Sequence, residues 1–353
     1  MSDFRRRLMM GIGGQEPDYP DNYVDDGWIW AYYEVTDTEN PTQLLYASFN
    51  YLTDFGANFI IDGETVARTK TYTFSTTGEH LVKMQRTGQI RVGAFRSLTA
   101  LKRIYICDTV TSLADNCFLS SSNLTHIWLP DTITSIANQS FSYCTSLYRI
   151  NIDNTKITVA QGSNNYGLFR GSTSLKKVKL PTTVTAINGR CFQSCSSLSY
   201  VNIEELTSLK SIATLAFSAT KLKGVIVFPA SLTTLTNQSF QSCTSITEVD
   251  LGNTQVATIP GSTNYGCFGG CSHLAKVTLP STLTTLAQRA FYQCYALETV
   301  ICKAVTPPTI SSQSLPGTSY VQHIYVPAES VDDYKAASYW SSYASKIEAI
   351  PTT

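Results

Sequence analysis

The sequence predicts a β-rich repeat solenoid of about nine units, preceded by a small β module and closed by a strand–helix cap. Three observations carry that prediction. Phenylalanines recur at Phe95, Phe118, Phe141, Phe169, Phe192, Phe217, Phe240, Phe268 and Phe291, spaced by 23, 23, 28, 23, 25, 23, 28 and 23 residues. Each is followed by Leu or Ile, then by an [IV]-x-[LIV] step in which only the ninth unit departs, with Cys302 in the last place, and in several units by proline, as at Pro130, Pro181 and Pro280. Finally, Phe118/Phe217, Phe141/Phe240, Phe169/Phe268 and Phe192/Phe291 all lie 99 residues apart, so a four-unit block has been duplicated.

The elements follow in chain order. Residues 1–23 read as an exposed arm. Their MSDFRRRLMMGIGG start has an Arg cluster but too short an apolar run for a secretory signal, so synthesis in a cytoplasm is expected. Residues 24–90 lack the repeat and form a small β-rich module, in which WIWAYYEVT, NFIIDGETVA and YTFSTTGEHLVKMQR read as strands and Asp62-Gly63 as a hairpin turn.

Residues 91–326 are the solenoid. The [IV]-x-[LIV] step has period two, so both aliphatics face one side, and proline ends the strand because it cannot donate to a ladder. In unit six, Leu222 arrives one residue early and Val225 is taken as the inward residue. One unit cannot bury its apolar side alone, whereas stacked neighbours can. Residues 138–169 and 237–268 agree at 15 of 32 positions. The two 28-residue units share an insertion, GSNNYG from Gly162 and GSTNYG from Gly261, whose glycines suit a protruding turn. Residues 327–353 are the cap that a terminal repeat requires.

The chain carries 26 basic and 26 acidic residues, and no run of about 20 apolar residues occurs. Neither nucleic-acid binding nor membrane insertion is expected, and oligomerisation is left open. Ten cysteines invite a zinc or disulfide reading. Register argues against it. Cys144, Cys195, Cys243, Cys271 and Cys294 all lie three residues after a phenylalanine, in a slot where other units place Ser or Thr. That slot reads as a place for a small buried side chain. Histidines are dispersed and no catalytic motif occurs, so no enzyme, metal or cofactor is expected.

Candidate binding residues are the outward strand positions of the first five units: Arg103, Tyr105, His126, Trp128, Arg149, Asn151, Lys177, Lys179 and Tyr200. Aromatics beside polar groups on a solenoid face suit a glycan or protein ligand. As a patch, Tyr105, Trp128, Arg149 and Tyr200 are favoured. Replacing Trp128 and Tyr105 by Ala is then expected to weaken ligand retention without changing thermal stability. The second candidate is the pair of loop tips, Asn165-Tyr166 and Asn264-Tyr265, set against the bland reading of a duplicated loop with no role.

The repeat text, including SFSYCTSLYRI, CFQSCSSLSYVNI, KKVKLPTTVTAI and AKVTLPSTLTTLAQRAFYQC, resembles the BspA-like (Treponema pallidum type) leucine-rich repeat over roughly residues 90–325. The ending resembles that family's terminus, which implies a last strand from His323 to Val326 and an amphipathic helix from about Ser330 to Ile347. The resemblance implies a surface adhesin. The first ~95 residues resemble proteins of gut anaerobes and their crAss-like phages. That implies a virion component, a head or tail decoration contacting host-surface glycans or proteins, with its N-terminal arm and module meeting other virion proteins. The alternatives are a bacterial cell-surface adhesin and an intracellular protein-interaction scaffold.

Overall fold

The computed structural model describes residues 25–163 and 165–351. The arm expected over 1–23 lies outside the described residues. Each unit places its phenylalanine at a double bend. The residues two before and two after it adopt left-handed backbone in most units, for instance Asn116 and Ser120 around Phe118, and Gln238 and Ser242 around Phe240. Between the two bends, alternate amides reach the next unit: Phe118 N donates to Ser140 O at 2.9 Å and Ser120 N to Ser142 O at 2.9 Å.

The bends bring the nine phenylalanines into a continuous buried column. Successive rings are 5.0–5.6 Å apart between centroids and inclined by 4–19°. This spacing is what offset aromatic pairs prefer, and it sets the rise of the solenoid from one unit to the next.

After the bend each unit forms one rung of the outer face. Rungs 1 to 11 are Leu101–Tyr105, His126–Trp128, Arg149–Asn151, Lys177–Val178, Tyr200–Val201, Gly224–Val227, Ile246–Asp250, Lys276–Leu279, Thr299–Cys302, His323–Val326 and Ile347–Ala349. They form three parallel ladders, with rungs 1–3, 4–5 and 6–11 each continuous. A second face is built from two- to four-residue strands such as Val110–Leu113, Ser135–Ile136 and Ala186–Ile187. Ile104, Ile127, Ile150, Val178 and Val201 point between the two faces and are buried.

Unit six departs from the expected register. Ile226, not Val225, pairs with the inward Val249, and Val225 is 54% exposed. Gly224, at φ +74°, lies at the register shift that moves the strand on by one residue. Counting nine from Phe217 gives Ile226, so the phenylalanine keeps the register that the early Leu222 obscures.

The N-terminal strand Trp28–Val35 pairs antiparallel with rung 1 on one side and with Gly78–Gln85 on the other. It therefore covers a ladder edge that would otherwise be open. Asp62 and Gly63 form the expected two-residue hairpin between Asn58–Ile61 and Glu64–Ala67. Both have positive φ, as a type I′ turn needs.

The cap differs from the single helix expected over Ser330 to Ile347. Only Val331–Ala336 is α-helical; Trp340–Lys346 is a 3-10 turn and Ile347–Ala349 adds rung 11 parallel to rung 10. Three aromatic pegs replace a continuous helical face. Tyr334 Oη donates to Ala304 O, Trp340 Nε1 to Pro308 O and Tyr343 Oη to Pro316 O, at 2.7, 2.8 and 2.7 Å. Each satisfies a carbonyl of the last coils, and rung 11 pairs the otherwise open edge of rung 10.

Candidate binding face

Parallel in-register pairing turns the outward positions into columns. His126 lies between Arg103 and Arg149, Trp128 lies between Tyr105 and Asn151, and Lys177 lies beside Tyr200. The columns do not form one exposed patch.

Tyr105 and Trp128 are buried, at 0% and 3% exposure. Their rings stack at 4.1 Å, and with Trp30 and Tyr32 they make a second, small apolar core on the outer side of the sheet. The expectation that both are ligand contacts replaceable without loss of stability is therefore corrected. Strand Trp28–Val35 brings Trp30 and Tyr32 into the same layer because it pairs with rung 1. Arg103 is also committed here, with its guanidinium over the Tyr32 ring at 4.7 Å and paired with Glu79. A signal existed in WIWAYY, where aromatics fall on both sides of the alternation, as in a strand covered on both faces.

Asn151 clips rungs together. Its Oδ1 accepts from Leu129 N at 2.9 Å and its Nδ2 donates to Leu129 O at 3.0 Å. Asn202 does the same to Leu180, at 2.8 and 3.0 Å. Both side chains extend the backbone ladder where the strands end.

His126, Arg149, Lys177, Lys179 and Tyr200 reach the surface, fully or in part. The structure adds two residues that the repeat register does not single out. Tyr148 is 45% exposed, edge-on to the His126 ring at 6.1 Å, and the Lys176 ammonium lies 5.1 Å from the Tyr148 ring centre. The L-x-x-[IV] step explains the omission: two residues between inward anchors both face outward, and period-two reasoning counts only one. Beyond Lys179 the strip meets acid. Tyr200 Oη donates to Glu205 Oε1 at 3.1 Å, and Lys179 Nζ lies 3.9 Å from Glu205 Oε2. Partial burial, followed by the Glu205 carboxylate, raises the Tyr200 phenol above its ordinary range. The ladder is broken between rungs 5 and 6, and a cavity of about 110 Å³ opens there, lined by Tyr200, Asn202, Glu205, Lys223 and Val225 among others.

The inserted loops occupy another part of the coil, just before the phenylalanine. Ser163 N donates to Tyr166 O at 2.6 Å, and Gly162 bridges Gly167. Asn164 lies outside the described residues. The flanking glycines serve close packing more than protrusion. A Cβ on Gly167 would lie 1.8 Å from Arg190 O, and one on Gly266 would lie 2.3 Å from Arg289 O. Asn165 and Asn264 are exposed at both tips, whereas Tyr166 is 48% exposed and Tyr265 leans on Tyr292 at 5.9 Å.

All ten cysteines are buried and unpaired by disulfide. The slot three after phenylalanine has a specific use. Cys144, Cys195, Cys243, Cys271 and Cys294 donate their thiols to the carbonyl of the preceding unit's phenylalanine, at 3.0–3.2 Å. Ser121 and Ser172 donate to Phe95 O and Phe141 O in the same way. Serine and cysteine interchange there because both are small donors to a buried acceptor. Burial pushes the Cys144 and Cys195 thiols up to about 12. Among the described residues, no group of three or more His, Cys, Asp or Glu is arranged to hold a metal.

The family model for the BspA type leucine rich repeat region (6 copies) matches residues 67–166, 163–267 and 262–351. The chain belongs to the BspA-type leucine-rich repeat family. Among solved structures, this BspA-type chain is similar to a leucine rich cell surface protein from Faecalibacterium prausnitzii, at 19% identity over 76% of this chain and 84% of that one, with a TM-score of 0.42. It is also similar to a leucine-rich repeat protein from Bacteroides ovatus, at 19% identity, 79% and 90% coverage and a TM-score of 0.32. The leucine rich repeat protein of T. pallidum shares 21% identity over 55% of this chain and 77% of its own, with a TM-score of 0.35. No curated protein matches the chain.

Proposed function

We propose that the chain is a non-enzymatic adhesion scaffold of a bacterial cell surface, binding a glycan or protein through its outer sheet face. The observation that carries this reading is the strip of exposed aromatic and basic side chains on rungs 2–5, held in register within the pairs 2–3 and 4–5. Tyr148, Lys177 and Tyr200 offer ring faces and charge on a backbone fixed by strand pairing, which lowers the ordering cost of recognition. Membership of the BspA-type family supports the surface reading over the virion reading. The latter leans on the first ~95 residues, of which 1–24 lie outside the described residues.

The test is binding of the full chain to immobilised matrix proteins and a glycan array, beside the triple variant Tyr148→Ala/Lys177→Ala/Tyr200→Ala. Wild type is expected to bind at least one probe. The variant is expected to bind it at least about tenfold more weakly, as loss of interface hot spots gives, with an unchanged melting temperature. Equal binding by both proteins rejects the outer face. Surface proteolysis of intact cells, set against recovery in purified virus particles, decides between the two locations.

A further inference from the structure

The duplication supplies an internal control for the outer face. At 99 residues' distance, Tyr148 corresponds to Thr247, Arg149 to Glu248, Lys176 to Ala275, Lys177 to Lys276, Lys179 to Thr278 and Tyr200 to Thr299. In the second copy, Lys276 Nζ meets Glu248 Oε1 at 2.8 Å, so the rung 7–rung 8 pair is internally neutralised. In the first copy the same two positions are Arg149 and Lys177, with Lys176 and Lys179 beside them. One scaffold thus carries a basic, aromatic-bearing strip on rungs 3–5, whereas rungs 7–9 carry one paired lysine and the further carboxylates Asp250 and Glu298.

We propose that the strip of Tyr148, Lys176, Lys177 and Tyr200 binds an acidic polysaccharide, a chain bearing uronate or sulfate groups. This deepens the outer-face reading and rests on it. Two features of the strip favour that ligand. Paired rungs repeat about every 4.8 Å, close to the length of one sugar in an extended chain, so rungs 4 and 5 meet successive residues. The Tyr148 ring, with an ammonium 5.1 Å from its centre, offers an apolar surface for a sugar face beside a charge for its acid group. The carboxylates nearby are Glu204 and Glu205, at the rung-5 end beside the cavity, and Asp153, which lies close to Lys179 and Glu205. A polyanion therefore lies along Tyr148, Lys176 and Lys177, with Lys179 already engaged by Glu205. Nucleic acid is disfavoured because a handful of cations on a chain of zero net charge supports few phosphate contacts.

The experiment measures binding of the full chain to polygalacturonate, a sulfated glycosaminoglycan, neutral dextran and single-stranded DNA. The expected result is binding to one or both acidic glycans that weakens several-fold between about 0.05 and about 0.3 M salt, as screening shortens the reach of exposed charge. Lys176→Ala/Lys177→Ala is expected to lose about tenfold in affinity and Tyr148→Ala several-fold, the sizes expected of hot-spot truncation. Lys276→Ala, at the equivalent place in the second copy, is expected to leave the affinity unchanged. Thermal melts confirm that the variants fold. Equal binding to dextran, tighter binding to DNA, or full binding by the lysine variants overturns the proposal. Failure on all four probes, with array binding still lost in the triple variant, overturns the acidic ligand and leaves the outer-face reading standing. No outer-face dependence on any probe or array overturns both.

Discussion

Rungs 2–5 and 6–9 are two copies of one block, and their inner and outer sides have had different histories. Inside, Phe141 and Phe240 are both fully buried, and Cys144 and Cys243 donate to the preceding phenylalanine carbonyl at 3.0 and 3.1 Å. Outside, Arg149 has become Glu248 and Tyr148 has become Thr247. An inward residue touches the units above and below it, so a change must suit both neighbours. An outward residue answers mainly to solvent and is free to vary. Copying four units therefore lengthens the core and supplies a second surface that can be neutralised or specialised.

If the interiors are equivalent, Phe141→Ala and Phe240→Ala each cost about 3–5 kcal/mol, as buried aromatic truncations do. Denaturant unfolding of the pair checks this, and costs differing by more than about 1 kcal/mol would show that the copies are packed differently. Alkaline pH acts on both copies next. The Cys144, Cys195 and Cys267 thiols rise from 9.0 to about 12 on folding. The folded state thus holds protons that the unfolded state releases. Their contribution is complete below pH 9 and is withdrawn as pH climbs from there towards 12, by about 1.4 kcal/mol per thiol at pH 10. Melting temperature is expected to fall across that range, and less so in a Cys144→Ser/Cys195→Ser variant.

A smaller effect isolates the donor role of the slot. Cys144→Val and Cys243→Val remove one of the two hydrogen bonds to a phenylalanine carbonyl, which keeps Ser121 N or Thr220 N, and are expected to cost about 0.5–1.5 kcal/mol, while the serine variants cost less. Equal costs for valine and serine would return the slot to a matter of size alone. On the outer side, Lys276→Ala removes a surface ion pair and is expected to lose about 0.5 kcal/mol, while Lys177→Ala leaves stability unchanged. The smallest change is Ala219→Gly at φ +58°. Relief of left-handed strain there is expected to stabilise by about 0.5 kcal/mol, visible as a small rise in melting temperature.

The repeat unit, its inward column and the small-residue slots were legible in the sequence because they are local and occur nine times. The Asp62-Gly63 turn was legible for the same local reason: its backbone demands particular residues. The proposed binding strip was legible only in part. His126, Arg149, Lys177, Lys179 and Tyr200 followed from the register, whereas Tyr148 and Lys176 needed the observed geometry of the L-x-x-[IV] step.

What only the tertiary structure decided is which outward residues stay outside. Tyr105 and Trp128 occupy outward positions by every local rule, yet a strand some 70 residues earlier in the chain brings Trp30 and Tyr32 against them. The same holds at the C-terminal end, where Ile347–Ala349 becomes a rung because rung 10 offers an unpaired edge to it. Periodicity records which side of a strand a residue faces, and the chain encodes that locally. Whether another segment then covers that side depends on pairing between distant strands, and no local pattern carries that information.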